Sequence, residues 1–452
     1  MAIDNNIEDF LLYKERRKKL LEIIKSQYSS TQGVVLLSAN FENHKDRFLQ
    51  ESSFFYFTGI TEPAVVITID IADGVTTLFI PSFKSARGQW IDGGISLSSD
   101  PLLYGMDAIA SLGDAIAGYS VQPYASMDMY KNLIELLRRK SAAGSLFTLC
   151  PTDDYQYVVQ RFLLSRLCTQ APEIIAKIKD ISPIIAQMRR SKDMPEIEML
   201  QQAIEITLMA HESAMESIND EINEAEVQAS LEYVMTACNA TPAFPSIVGA
   251  GKNSVILHYG RNSDVMHNGD LVVVDIGAQI DGYCADITRT YPVSGQFTKR
   301  QKELYDLVLK TQQYIADIAA PGYWISNSEQ PEKSLQHLAK QYLKDNGGYD
   351  KYFMHGIGHF LGLDVHDVGN IKEPLRVGDV ITIEPGIYIK EENIGIRIED
   401  NYWIVKGGAV CLSEDIPKTI EDIEYAMSNG GMDEGHAGHD HSDDEECNSN
   451  IN

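Results

Sequence analysis

The chain has 452 residues, 44% of them hydrophobic and 23% charged, with a formal net charge of −27. That length suggests about two to three domains, in a composition ordinary for a soluble globular protein. The negative charge disfavours a nucleic-acid partner, and no apolar run approaches the roughly 20 residues needed to cross a bilayer.

The N-terminal stretch carries Asp4, Glu8 and Asp9 before a basic cluster of Lys14, Arg16, Arg17, Lys18 and Lys19. A secretory signal needs its charge ahead of an apolar stretch and a transit peptide is poor in acids, so neither pattern fits. Leu11, Leu12, Leu20, Leu21, Ile23 and Ile24 surround the cluster. They make it the solvated face of a surface helix rather than a nucleic-acid arm. Strand-like runs follow at Gly33–Ser38, Phe54–Thr58, Ala64–Ile71 and Thr76–Ile80, with a helix at Met127–Lys140. These elements form one α/β domain over residues 1–178. It holds no paired acids or histidines with an obvious task and reads as a support or oligomerisation domain.

Asp193, Pro195 and Glu196 mark the start of a helix, continued by Ile197, Leu200, Ile204, Leu208, Met215 and Ile218 at helical spacing. Further helices are expected over Glu221–Cys238, over Arg300–Ala319 after a start at Thr298 with Gln301, and over Glu332–Lys344. Strands are expected at Leu271–Ile276, Tyr283–Tyr291, Val380–Ile383, Gly386–Ile389 and Ile396–Val405. This interleaving predicts a second α/β or α+β domain over residues 179–427, with a strongly curved sheet and helices on its outer face. Residues 428–452 hold seven acids and three histidines and almost nothing apolar after Met432. Such a segment is expected to be disordered; it reads as a solvating tail, with weak metal binding by His436, His439 and His441 as the alternative. The six cysteines, Cys150, Cys168, Cys238, Cys284, Cys411 and Cys447, form no CxxC. They read as reduced thiols of a cytoplasmic protein.

The informative stretch runs from Phe244 to Asp400. Asp275 ends the apolar run Leu-Val-Val-Val-Asp, and Asp286, Glu384 and Glu399 sit within or beside similar runs. An unpaired charge in such a setting is costly. Salt bridges from Arg289, Arg376 or Arg397 are one form of compensation, and shared cations are another. Four such acids near the segment His355-Gly-Ile-Gly-His359-Phe-Leu-Gly-Leu-Asp-Val-His366-Asp favour the cations. The spacing His355…His359 resembles HExxH, but position 356 is Gly and supplies no base. Gly356, Gly358 and Gly362 have the wrong spacing for a dinucleotide loop. Four carboxylates and one imidazole make a hard donor set that favours Mn²⁺, with Zn²⁺, Co²⁺ or Fe²⁺ as alternatives. Two ions sharing carboxylates can activate a water for attack on a carbonyl. Cys284 lies two residues before Asp286, and strand alternation would point both to one face. It reads as a small buried hydrophobe, or alternatively as an oxidation-sensitive neighbour of the metals.

The order Asp275, Asp286, His359, Glu384, Glu399 resembles the ligand set of the pita-bread metallopeptidases: methionine aminopeptidase, prolidase and aminopeptidase P. The resemblance covers residues 179–427. It is carried further by Phe244-Pro-Ser-Ile-Val, Ile256-Leu-His258-Tyr, Asp281-Gly-Tyr, Asp286-Ile-Thr-Arg-Thr, Leu363-Asp-Val-His366-Asp, Glu384-Pro-Gly-Ile-Tyr and Gly395-Ile-Arg397-Ile-Glu399-Asp. Phe54-Phe-Tyr-Phe-Thr-Gly-Ile-Thr-Glu-Pro resembles the N-terminal domain of aminopeptidase P and prolidase. Creatinase-like relatives share the fold without metal ligands, whereas all five are present here. The short connection from His366 to Glu384 is more similar to aminopeptidase P.

The resemblance implies an N-terminal creatinase-like α/β domain followed by a C-terminal pita-bread domain. It implies Xaa-Pro aminopeptidase activity on peptides with proline at the second position, with an Xaa-Pro dipeptidase (prolidase) or a non-catalytic peptide-binding module as alternatives. Asp286 and Glu399 would bridge two ions, Asp275 would complete one site, and His359 with Glu384 the other. Glu384 would also shuttle a proton. His258 and His366 would hold the scissile region, and His355 would contact the substrate beyond it. Arg397 would orient Asp275 or a nearby water. Relatives with this N-terminal domain form homodimers or homotetramers.

Overall fold

A computed structural model describes residues 10–29, 32–42, 47–83, 94–115, 128–151 and 157–429. From residue 430 onward the acidic tail, with His436, His439 and His441, lies outside the described residues, as do Asp4, Glu8, Asp9 and Cys447. The chain divides into two units: Met1–Asp193 with Gly362–Asn370, and Met194–Leu361 with Ile371–Asn452.

The first unit is built on a six-stranded sheet of mixed parallel and antiparallel strands. Its elements in order are α1 (Leu11–Tyr28), β1 (Gly33–Ser38), α2 (Ser52–Thr58), β2 (Val66–Asp70), β3 (Thr76–Ile80), β4 (Ala108–Ser111), α3 (Lys131–Ala143), β5 (Ser145–Thr148), α4 (Val158–Gln170), β6 (Ile178–Asp180) and α5 (Ser182–Arg190). The strands lie in the order β4-β3-β2-β1-β5-β6. The β1–β2 and β2–β3 pairs are antiparallel, the others parallel. Helices α3 and α4 bury Leu133, Leu137, Leu163 and Leu167 in one cluster with Val34, Leu36 and Leu146. The boundary expected at residue 178 falls inside this unit, because β6 completes the sheet beyond it.

Two readings of this unit are corrected. Phe54–Thr58 is not a strand but part of helix α2. The Glu51 side chain accepts from Phe54 N at 2.5 Å, and Gly59, at φ 64°, closes the last turn with its N–H to Phe55 O. Every residue from Ser53 to Thr58 is buried, so the aromatic run shows no helical periodicity. The basic cluster of α1 is only partly a solvated face. Lys14, Lys18 and Lys19 are exposed, but Arg16 and Arg17 are buried. Arg16 donates to Tyr56 O and Asp193, and Arg17 to Phe57 O and Gly105 O.

The segment Gly362–Asn370 is held in this unit by charge. Arg189, its side chain only 2% exposed, bonds Asp364 at 2.7 Å and Asp367 at 2.6 Å. Lys192 bonds the other Asp367 oxygen at 2.8 Å, and Ser52 Oγ donates to Asp364 at 2.6 Å. Burial alone would raise Asp367, but the charges of Lys192 and Arg189 hold it below the usual carboxylate range.

The second unit comprises α6 (Met194–Ser217), α7 (Glu224–Ala237), β7 (Thr241–Pro242), β8 (Ile247–Ala250), β9 (Leu271–Ile276), β10 (Ala278–Ile280), β11 (Tyr283–Cys284), β12 (Ile287–Pro292), α8 (Lys299–Ile318), α9 (Leu335–Asp345), β13 (Val380–Ile383), β14 (Gly386–Ile389), β15 (Ile394–Arg397), β16 (Asp400–Val405), β17 (Gly408–Cys411) and α10 (Ile420–Asn429). Thr298 and Gln301 form a reciprocal capping box at the start of α8, as the sequence suggests. Three three-stranded sheets, β11-β10-β7, β12-β9-β8 and β13-β16-β17, accompany the hairpin β14-β15. Side chains and loop amides knit them together. Thr290 of β12 bonds both backbone groups of Arg397 in β15, and Glu399 N donates to Thr288 O.

Two strands read as continuous in the sequence are broken, one at Ala285–Asp286 and the other at Ile398–Glu399. At each break the backbone passes from one strand pair to the next. Asp286 then bonds the Asn401 side chain through both its N–H and its C=O, instead of a ladder neighbour. Both breaks carry a carboxylate singled out from sequence. Among the described residues, no helix is long and apolar enough to cross a membrane.

Candidate metal centre

Asp275 stands at the end of β9, paired with Thr288 of β12 on one side and Ile247 of β8 on the other. Arg397 donates to its Oδ2 at 2.7 Å. The other oxygen, Oδ1, is buried and has no hydrogen-bond partner among the described residues. A desolvated carboxylate oxygen facing nothing is costly, and a cation at that position would remove the cost.

The segment 357–359 runs beside β13: Thr382 N donates to His359 O, and Glu384 N to Ile357 O, both at 2.9 Å. Gly358 makes that approach possible, since a Cβ there would lie 2.0 Å from Thr382 O. His359 Nδ1 is 3.0 Å from Phe360 O. A proton on Nδ1 directed to that carbonyl leaves the Nε2 lone pair facing the acids. Nε2 lies 3.2 Å from Asp286 Oδ2 and 3.7 Å from Glu384 Oε1. Glu399 receives the Thr288 hydroxyl on Oε2 at 2.7 Å. Ligand atoms of Asp286, His359 and Glu399 all lie within 4.8 Å of one another.

The donor set fits hard divalent cations: oxygen donors around one imidazole, one of the oxygens buried and unpartnered. The salt-bridge alternative accounts for little of it. Arg397 neutralises one oxygen of Asp275, Arg289 pairs with Asp400, and Arg376 pairs with Glu373.

Charge crowding raises the proton affinity of the site's acids. Burial first, and neighbouring carboxylates after it, push Glu384 up to about 7 and Asp286 up to about 6. Glu399 is driven well above the carboxylate range for the same reasons. Burial alone would lower His359, but its hydrogen bond to Asp286 and the charges of Asp286 and Glu384 together outweigh that and lift it to about 9.

The signs agree across these groups. Acids with raised values keep protons when folded that the unfolded chain releases, so stability falls as pH climbs through their range. The His359 contribution is complete below the ordinary imidazole value and is lost as pH rises through about 9. The chelator-treated protein is therefore expected to melt at progressively lower temperature between about pH 5 and about pH 9. Added Mn²⁺ should raise the melting temperature more at the alkaline end, because ligands must give up protons to bind it. A melting temperature that rises with pH in chelator would contradict this.

Among the remaining residues singled out, Arg397 is the hub. Besides Asp275 it donates to Tyr388 Oη at 2.8 Å and to Thr288 Oγ1 at 3.1 Å. His355 Nε2 is 2.9 Å from Tyr388 Oη, and its Nδ1 is 3.5 Å from Glu384 Oε2. Burial, then the Arg397 charge, lowers His355 to about 4, so its ring is neutral. His258 is exposed on a turn, near enough for its charge to oppose protonation of His355. His366 is exposed on the Gly362–Asn370 segment and belongs to the first unit. Cys284 is buried with its thiol 3.9 Å from Gly282 O. The break at Ala285–Asp286 removes the strand alternation from which a face shared with Asp286 was inferred.

Sequence reasoning gave no role to Tyr388, Thr288 or Asn401. Strand alternation held no signal for the first two, because Glu384 and Asp286 stand outside the strands that carry Tyr388 and Thr288. Asn401 sits across the strand break from Asp286, a pairing with no trace in local spacing.

The comparisons with known proteins agree with one another. The model of metallopeptidase family M24 matches residues 198–406, and that of the aminopeptidase P N-terminal domain matches residues 13–116. The chain is 31% identical to the Xaa-Pro aminopeptidase of Haemophilus influenzae, over 84% of this chain and 89% of the relative. It is 32% identical to intermediate cleaving peptidase 55 of Saccharomyces cerevisiae, over 85% of this chain and 77% of the relative. The structure of Escherichia coli aminopeptidase P with the inhibitor Pro-Leu superposes with a TM-score of 0.78 at 28% identity, covering 93% of this chain and 98% of that one.

Proposed function

The chain belongs to metallopeptidase family M24, and from that we infer that it is a metal-dependent Xaa-Pro aminopeptidase, hydrolysing the bond between an N-terminal residue and a following proline. One observation carries the reading. The buried Asp275 Oδ1, with no hydrogen-bond partner among the described residues, stands in the same unit as the mutually close ligand atoms of Asp286, His359 and Glu399, so the site keeps its capacity for cations. That capacity speaks against a non-catalytic binding module. The likeness to an Xaa-Pro aminopeptidase over 84% of this chain speaks against a dipeptidase.

Asp275, Asp286, His359, Glu384 and Glu399 would hold two divalent ions, with Asp286 and Glu399 shared between them. The hard donor set supports Mn²⁺, with Zn²⁺, Co²⁺ or Fe²⁺ as alternatives. Such ions supply Lewis acidity to the scissile carbonyl and to the attacking water. Glu384 takes the proton from that water and passes it to the leaving proline nitrogen. His355, neutral and braced by Tyr388, offers a hydrogen bond to the substrate beyond the scissile bond. His258 serves as a donor to the oxygen that gains charge. Arg397 fixes Asp275 and, through Thr288, the orientation of Glu399.

We place the protein in the cytoplasm. The described cysteines, Cys150, Cys168, Cys238, Cys284 and Cys411, are all free thiols, which supports a reducing compartment. The N-terminal domain supports a homodimer or homotetramer by its likeness to aminopeptidase P.

The test is hydrolysis of Ala-Pro-Ala and of Ala-Pro by metal-stripped protein, before and after adding Mn²⁺. Mn²⁺-dependent cleavage of the tripeptide is expected. Cleavage of the dipeptide alone would make the protein a prolidase, and no cleavage with any divalent ion would end the peptidase reading.

A further inference from the structure

The loop from Ala250 to Asp264 is organised around a single buried acid. Glu224, the first residue of α7, is fully buried, and its carboxylate accepts four hydrogen bonds, all from this loop. Oε1 takes Ala250 N at 2.8 Å and Asn253 Nδ2 at 2.9 Å. Oε2 takes Tyr259 Oη and Asp264 N, both at 2.9 Å. Its own N–H donates to Asp264 O at 3.0 Å, closing the loop on the helix start. Asn253 Nδ2 also approaches Tyr259 Oη at 3.0 Å and Asp264 Oδ2 at 3.1 Å, so the partners hold one another as well.

A second anchor lies on the other side. Gly395 N, two residues before Arg397, donates to Ser254 Oγ at 2.8 Å. A Cβ at Gly395 would meet Ser254 O at 1.9 Å. The loop is therefore seated directly on β15, the strand that carries the hub arginine.

Between the anchors sits His258. No hydrogen bond to a described residue holds its imidazole, so the reach of the ring is set by where the loop places its backbone. Its neighbour Tyr259 is 7% exposed and turned inward by the bond to Glu224. His258 itself is exposed on the turn that precedes Tyr259, so the bond that holds Tyr259 to Glu224 also fixes the backbone from which the imidazole projects.

We propose that Glu224 is a positioning residue for catalysis, fixing through Tyr259 and Asn253 the loop that aims His258 at the substrate. The role rests on the Xaa-Pro aminopeptidase reading and on the substrate contact assigned to His258. The acid form matters: every donor facing Glu224 is an N–H or O–H group, and four acceptor sites are needed. In Glu224→Gln an amide –NH₂ replaces one oxygen and faces two donors. The side chain keeps its size while the loop loses its register.

The experiment is a double-mutant cycle on Ala-Pro-Ala hydrolysis by the Mn²⁺-loaded full-length protein. Glu224→Gln and, separately, Tyr259→Phe are each combined with His258→Ala. Glu224→Gln should lower kcat/KM by on the order of tenfold to a hundredfold, the loss expected from misplacing one aligned group. Tyr259→Phe, which removes a single hydroxyl and keeps the packing, should produce a smaller loss in the same direction. In the His258→Ala background neither should cost anything further, because the group they aim is already gone. Metal content should equal that of wild type throughout.

Equal losses in both backgrounds would overturn the proposal in favour of general destabilisation. Wild-type rates for Tyr259→Phe, together with wild-type rates or failed folding for Glu224→Gln, would overturn it too. A silent His258→Ala in an active enzyme would remove both the contact and its positioning. An inactive wild-type protein would instead sink the functional reading itself, an outcome distinct from all of these.

Discussion

Glu384→Gln should lower kcat for Ala-Pro-Ala by on the order of a hundredfold to ten-thousandfold, the range for removing a general acid–base group. The argument starts from position. Glu384 leaves the end of β13, with His359 Nε2 3.7 Å from one oxygen and His355 Nδ1 3.5 Å from the other. Thr382 Oγ1 supplies a long hydrogen bond of 3.5 Å. The carboxylate is thus surrounded yet tightly held by none of these groups, as a residue that exchanges a proton must be. Glutamine keeps the shape and one oxygen donor but cannot accept and release the proton. Because Glu384 is also a proposed ligand, metal content must be measured alongside the rate. KM should move far less than kcat, since the ground-state contacts of the substrate lie elsewhere. A kcat within a few-fold of wild type at full metal loading would remove Glu384 from the proton path.

Arg289→Leu should cost on the order of 3–5 kcal/mol of stability, the usual penalty for stranding one partner of a buried ion pair. Arg289 and Asp400 are both fully buried and lie 2.6 Å apart. Arg289 also donates to Glu399 O at 2.7 Å and Thr288 O at 3.0 Å. Asp400 in turn accepts from Gln312, Ser413 and Lys418. Burial opposes the charge on Asp400, and Arg289 followed by Lys418 holds it below the carboxylate range. Leucine would leave that charge with one ammonium that is itself partly exposed. Urea unfolding measures the loss, and a value under about 1 kcal/mol, typical of a surface pair, would show the network to be redundant. Activity should fall as well, because the Glu399 backbone loses a donor beside the metal centre.

Legibility in the sequence followed the range of the interactions. Strands β9, β13 and β14 are rich in apolar and β-branched residues, and their limits match those read from sequence. The capping box of α8 is likewise local. Helix α2 was misread because it is buried all round: aromatic propensity pointed to a strand, and the decisive groups, Glu51 and Gly59, lie at its ends. Arg16 and Arg17 looked solvated because their acceptors are remote backbone carbonyls and Asp193, far along the chain. In the metal centre, carboxylates in apolar runs announced themselves by their cost. The residues that orient them did not: Thr288, Tyr388 and Asn401 act across strands or across a break, where spacing carries little information.

The charge clamp on Gly362–Asn370 sets an order of events during synthesis. Arg189 and Lys192 emerge early, but their counter-ions Asp364 and Asp367 lie more than a hundred and fifty residues downstream. Until the ribosome has passed residue 370, the first unit would have to bury two cations with no anion from that segment, which is unfavourable. Its final closure is therefore tied to translation of most of the second unit, and a nascent chain halted before residue 362 should stay open to protease near Arg189. The N-terminal unit is first to be made and among the last to be finished.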